Sequence, residues 1–172
     1  MVASGAGPMS KSSSLLSCLL LAACGAPPLA RSPAEPGERV GTYDGRAVAV
    51  AYANGPRFAA WMREVQAAHE AAEARGDQGE MRALEQRAAA QQQRFHEQAF
   101  EGADIGDILD LVEGELAAVR AAADVGRLEK VNLARVDGVV TVDVTDQLVD
   151  LFEPSAQGRK WIRDLRGLPF PR

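Results

Sequence analysis

The feature that most constrains this chain is the segment from Arg57 to Phe100, rich in Ala, Glu, Gln and Arg and interrupted once, at Gly76-Asp77-Gln78-Gly79. Asn54-Gly55-Pro56 is a helix start, because proline at the first helical position loses no hydrogen bond. Phe58, Met62, Val65, His69 and Ala72 then recur at alternating four- and three-residue spacing, which lines one helix face, and Trp61 and Ala68 widen that stripe. Gly76 is placed to take the left-handed helix end. Met81, Leu84 and Ala88 restart the rhythm and Phe95 and Ala99 resume it, with a polar stretch at Ala90-Gln91-Gln92-Gln93 between. The pattern predicts two antiparallel helices, together spanning about residues 56–100. Each would be about 30 Å long at 1.5 Å per residue. Isolated helices of that length are marginal. An alanine-rich seam buries little area at about 25 cal/mol per Å². The arms therefore call for a base or a partner. Their large residues, Phe58, Trp61, Met62, Phe95 and Phe100, are the candidate partner contacts. Two helices of an ordinary compact bundle are the alternative.

Residues 1–23 hold no acidic residue, and Lys11 precedes a run with Leu15, Leu16, Leu19, Leu20 and Leu21. That run is shorter than the roughly 20 apolar residues a bilayer span takes. A basic start, a short apolar run and small residues describe an export signal. Met9-Ser10-Lys11 makes the more ordinary beginning. Leu21-Ala22-Ala23-Cys24 resembles the lipobox of bacterial lipoproteins, which implies cleavage between Ala23 and Cys24 and acylation of Cys24. Gly25 in place of Asp favours the outer membrane, facing the periplasm, by the same resemblance. Cys18 would leave with the signal, so the mature chain has no thiol for a disulfide or a zinc site. Gly25 to Glu38, with Pro27, Pro28, Pro33 and Pro36, reads as an extended tether. Residues 39–172 have the size of one domain. Losing residues 1–23 removes one lysine and takes the net charge from −5 to −6. An acidic chain speaks against nucleic acid as a partner.

Val40-Gly41-Thr42-Tyr43 reads as a strand. In Arg46 to Tyr52 the alternation suits a strand and the alanines a helix; the helix is preferred, with Asp44 as its cap. Asp104 caps a third helix whose stripe is Ile105, Ile108, Leu109, Val112, Leu116, Val119 and Ala123. Leu128 to Leu133 and Val139 to Val142 read as strands joined by a turn at Asp137-Gly138. Thr145 or Asp146 caps a short helix, and Pro154-Ser155 opens a last one carrying Trp161, Ile162 and Leu165. Leu168, Pro169 and Phe170 fold back onto the body. The expected class is α+β, mainly helical, with a small antiparallel or mixed sheet and a protruding helical hairpin.

Catalytic chemistry has little to work with. Ser155 has no histidine near it in sequence, and capping explains it. His96-Glu97 begins like a zinc-protease motif, but Phe100 stands where the second ligand belongs. His69 falls opposite Gln86 if the arms pair about the turn, so a metal shared with His96 is disfavoured. Glu101, Asp104, Asp107 and Asp110 lack calcium-loop spacing and suit helix starts. No phosphate cradle is present. The residues point to no cofactor and to binding rather than catalysis.

The order of strand, helix, helical hairpin, apolar helix, two strands, and then Asp143-Val144-Thr145 opening a helix with Leu148 and Val149, resembles the Skp (OmpH) family of periplasmic chaperones over about Arg39 to Phe152. The resemblance implies a trimer whose small sheets form a head, with hairpins around unfolded outer-membrane proteins. The chain differs from the family's best-known members in its shorter arms, its helix break at Glu101 to Ala103, its acidic charge and its lipid anchor. A structural or adaptor lipoprotein is the alternative.

Overall fold

The computed structural model describes residues 39–131 and 139–170. The lipobox and the tether fall outside these residues, as does the turn expected at Asp137-Gly138. The elements run β1 (Arg39–Tyr43), α1 (Gly45–Ala53), α2 (Pro56–Arg75), α3 (Gln78–His96), a π-helical segment (Glu97–Glu101), α4 (Gly106–Asp110), α5 (Glu113–Ala123), β2 (Arg127–Lys130), β3 (Val140–Asp143), α6 (Thr145–Asp150) and α7 (Ala156–Arg166).

Helix α1 is the centre of the core. Ala47, Val48, Ala49 and Ala51 are buried, and α2, α6, α7 and the π-helical segment all pack on it. A helix enclosed on so many sides is apolar around most of its circumference, which is why its sequence alternates ambiguously. Asp44 fixes its start as expected: a side-chain oxygen accepts from the Arg46 amide at 3.0 Å. The Asp44 amide donates to the Thr145 hydroxyl at 3.0 Å, tying β1 to α6 across 101 residues of chain. The cap of α6 expected at Thr145 or Asp146 falls to neither: Val144 is the N-cap residue and makes no side-chain cap bond, the buried Thr145 hydroxyl being engaged by Asp44 while Asp143 accepts from the Thr145 amide at 2.8 Å.

The hairpin forms where the sequence places it. Gly76 turns left-handed at φ 70°, a conformation that is inexpensive for glycine, and Asp77 caps α3 by accepting from the Gly79 and Glu80 amides. Helix α2 buries Val65 and Ala72, and α3 buries no residue. His69 meets Glu85 at 3.4 Å, one position from the Gln86 expected opposite it.

Two further expectations are corrected. The sheet is neither antiparallel nor mixed: its order is β2-β1-β3, and β1 pairs in parallel with both neighbours. The excursion through five helices returns the chain to the same end of the sheet, which is how parallel pairs are connected. Gly41 leaves one sheet face free for its neighbours' side chains: a Cβ built there would stand 2.7 Å from the Leu128 side chain, 3.1 Å from that of Val125 and 3.3 Å from that of Val144. The single helix expected after Asp104 is broken into α4 and α5 at Val112, which is buried at φ −128°. The Leu111 carbonyl freed at the break accepts from the Arg57 guanidinium, whose other nitrogen lies 3.7 Å from Glu115.

Ser155 caps α7 at the Gly158 amide, 3.1 Å away. Residues 168–170 fold back over Arg46, whose guanidinium donates to the carbonyls of Leu168 and Pro169 and lies 3.9 Å from the Phe170 ring. Arg46 and Asp44 are both buried and joined by two hydrogen bonds, at 2.8 and 3.1 Å. Arg166 adds exposed pairs to Asp143 and Asp146.

Candidate functional site

The hairpin's base is aromatic. Tyr52, at the end of α1, meets Phe58, Phe95 and Phe152 edge-on at 5.6–5.8 Å between ring centroids. Phe58 stacks on Trp61 at 5.4 Å and meets Phe95 edge-on at 4.8 Å. Such pairs contribute about 0.5–1.5 kcal/mol each beyond area burial. Arg87 from α3 stands 5.5 Å from the Trp61 ring. Burial raises the Tyr52 phenol above its usual pKa of 10.0; Asp107 adds to the rise and Arg57 opposes it.

Four of the five candidate contacts come together. Phe58, Trp61, Met62 and Phe95 line a groove of about 570 Å³ between the arms, completed by small residues of α3 such as Ala88 and Ala89. Phe100 is parted from them. The π-helical segment buries Gln98 and Ala99 and turns Phe100 outward, where it is 54% exposed. Phe100 lines a second cleft of about 540 Å³, formed by α1, the end of α3 and α7. Its floor is small, with Ala49, Ala53 and Ala99, and its walls are large, with Phe95, Trp161, Leu165 and Leu168. Among the described residues only Phe95 and Gln92 line both. Sequence reasoning assigned Trp161 and Leu165 to the last helix without seeing this wall. The available signal was the Trp161, Leu165, Leu168 spacing, which puts all three on one side of a helix end.

The acidic group after the hairpin works locally. Asp104 accepts from the Gly106 amide, Asp107 pairs with Arg94 at 3.1 Å and accepts from Gln98 at 2.7 Å, and Glu101 lies 3.4 Å from His96. Lys130, at the end of β2, donates to the carbonyls of Gly102 and Ala103 at 2.7 Å each, closing the π-helical segment's exit. Burial holds the Lys130 amine below its usual pKa of 10.5, while Asp104 and Asp44 act the other way. Among the described residues no three His, Cys, Asp or Glu side chains gather as metal ligands, and no helix is long and apolar enough to cross a membrane. No family model, curated protein or solved structure matches the chain.

Proposed function

We propose that this chain is a lipid-anchored cell-envelope protein, cleaved between Ala23 and Cys24 and acylated at Cys24, that binds other proteins through a short helical hairpin on a small α+β head. In this reading it is a divergent relative of the Skp family, facing the periplasm from the outer membrane, able to self-associate as a trimer and to hold unfolded envelope proteins. The observation that carries the reading is the contrast within the hairpin. No residue of arm α3 is fully buried, yet the groove it forms with α2 is lined by Phe58, Trp61, Met62 and Phe95. Helices normally gain their stability by packing an apolar face, so an apolar groove left open between two arms is a surface suited to a partner. The order of elements, from β1 through the hairpin to β3 and the Thr145 helix, supports the kinship.

The test is suppression of aggregation of an unfolded outer-membrane protein by the full chain. Suppression near stoichiometric ratios, lost in the W61A variant, is the expected result. No suppression at excess would end the holdase reading. Capture of one folded partner would favour an adaptor role.

A further inference from the structure

Helix α3 is covered along one narrow line. Within Gln78–His96 only Met81, Leu84, Ala88, Gln91 and Phe95 are half-buried, and the other residues are exposed. Their alternating three- and four-residue spacing is that of a two-stranded coiled-coil seam, and α2 is the facing helix. The groove side of that seam stays open. It is bordered by Glu85, Ala89 and Gln92 on α3 and by Met62, 42% exposed, on α2. With alanine at its centre, this strip lets a further helix approach closely, since the side chains at a contact set the spacing of helix axes.

The charges of the arms select that helix. The tip half, residues 66–86, holds Glu70, Glu73, Asp77, Glu80 and Glu85 against Arg75 and Arg82, a net charge of −3. The base half, residues 56–65 and 87–96, holds Arg57, Arg63, Arg87 and Arg94 against Glu64, a net charge of +3. The arms as a whole are neutral, while the chain carries −5. They are a part of this acidic chain that can meet its own copy without net repulsion. Ion pairs within the protein leave the sign of each half as it is. Arg57 and Arg94 pair with Glu115 and Asp107 of the head, and Arg75 pairs with Glu80. Arg63 and Arg87 then remain against Glu64 at the base, and Glu70, Glu73, Asp77 and Glu85 against Arg82 at the tip. Past the end of α3, Glu97 and Glu101 lie against Gln93 and His96. A partner that suits both halves carries both signs in the opposite order. A second copy laid antiparallel does so by symmetry, its tip on this base and its base on this tip. A parallel copy sets like charge on like, and a partner of one sign is repelled by one half.

We infer that the open side of the hairpin packs antiparallel on the hairpin of a second copy, giving four helices about a two-fold axis. This rests on the protein-binding reading of the groove and names the partner that fills it when no client is held; a client takes the groove by displacing the copy. Pairing through the arms is distinct from assembly through the heads. Two-fold symmetry repeats every contact, so each charge acts twice.

The test is sedimentation equilibrium of the full chain in density-matched detergent. The parent is expected to dimerise at low salt, and about 0.5 M NaCl should weaken the dimer, because salt shortens the reach of exposed charges. In E70K/E73K both halves become positive, and in R63E/R87E both become negative. All four side chains are exposed, and far-ultraviolet circular dichroism will verify the helices. Each variant alone should dimerise about tenfold or more weakly than the parent, and an equimolar mixture of the two should recover the parent's affinity to within about threefold. A misfolded variant would not be rescued by the other, so recovery in the mixture reports pairing itself. A parent that stays monomeric, variants that associate as the parent does, or a mixture as weak as its components would each overturn the inference. A trimer that neither variant disturbs would do so too and leave the kinship standing. Dimerisation without suppression of aggregation would sink the holdase reading alone; suppression by a chain that is monomeric throughout would sink this pairing alone.

Discussion

Beside its aromatic base, the hairpin's start is fixed to the head by a close backbone crossing, and replacing Gly55 by alanine tests it. A Cβ at Gly55 would lie 2.2 Å from the Phe152 carbonyl oxygen, 3.3 Å from its carbon and 3.2 Å from the Ala51 carbonyl oxygen. All three are backbone atoms, and a contact under 3.0 Å must be relieved by moving one chain past the other. Flexible side chains cannot absorb that shift. The crossing is also held by the Ser155 amide donating to Asn54 at 3.0 Å, so movement there strains a second bond. Overpacking of this kind destabilises by about 1–3 kcal/mol, and the upper part of that range applies because backbone gives way on both sides. Gly114 in α5 is the matched control: a Cβ there meets nothing within 4 Å. Alanine at that position should stabilise the fold by about 0.5–1 kcal/mol. In urea unfolding followed at 222 nm, with a slope of about 1–3 kcal/mol/M, G55A should lower the midpoint by about 1 M and G114A should raise it slightly. A G55A midpoint equal to the parent's would refute the tight crossing at the hairpin's start.

Other outcomes follow from the same contacts. R46A leaves Asp44 buried without its partner and frees residues 168–170, so unfolding free energy should fall by about 3–5 kcal/mol; a loss under 1 kcal/mol would contradict the buried pair. F58A removes the ring shared by Tyr52, Trp61 and Phe95 and should lower stability by about 2–3 kcal/mol, less than a fully buried phenylalanine, because Phe58 is half-buried. The Tyr52 phenol keeps its proton in the fold at a pH where the unfolded chain loses it. Stability from this group is therefore full below pH 10.0 and falls as pH rises through the folded value. In the Y43F variant the absorbance titration near 295 nm should have its midpoint above 10.0, and Y52F should lose less stability than the parent above that pH. Amides of α3 should exchange with deuterium well before those of α1, since α3 buries no residue and α1 sits inside the core.

Where local chemistry decides, the sequence was readable. Gly76 ends α2, Asp44 starts α1 and Ser155 starts α7 through contacts within a few residues. The aromatic residues at α2's start fell on the stripe that their spacing marks. Where distant segments decide, it was not. The strand pattern at 128–133 and 139–142 is the same for a hairpin and for two strands flanking a third, and nothing local says that Gly41 leaves room for Leu128 and Val144. The stripe from Ile105 to Ala123 is continuous on paper, and the break at Val112 is supported by Arg57, which comes from α2. Phe100 shared the spacing of the hairpin contacts, but the π-helical segment shifts the register after His96 and sends its ring to the other cleft. That cleft joins alanines of α1 to Trp161, more than a hundred residues later, and a pairing of that kind has no trace in a linear pattern.

The central claim is that the open groove between the arms is where other proteins are held. Its most direct measurement is site-specific photo-crosslinking in cells, with the crosslinking residue at position 61 in the groove and, as control, at position 114 on α5. The account predicts protein adducts from position 61 that are absent from position 114. Adducts from neither position, or equally from both, would contradict it.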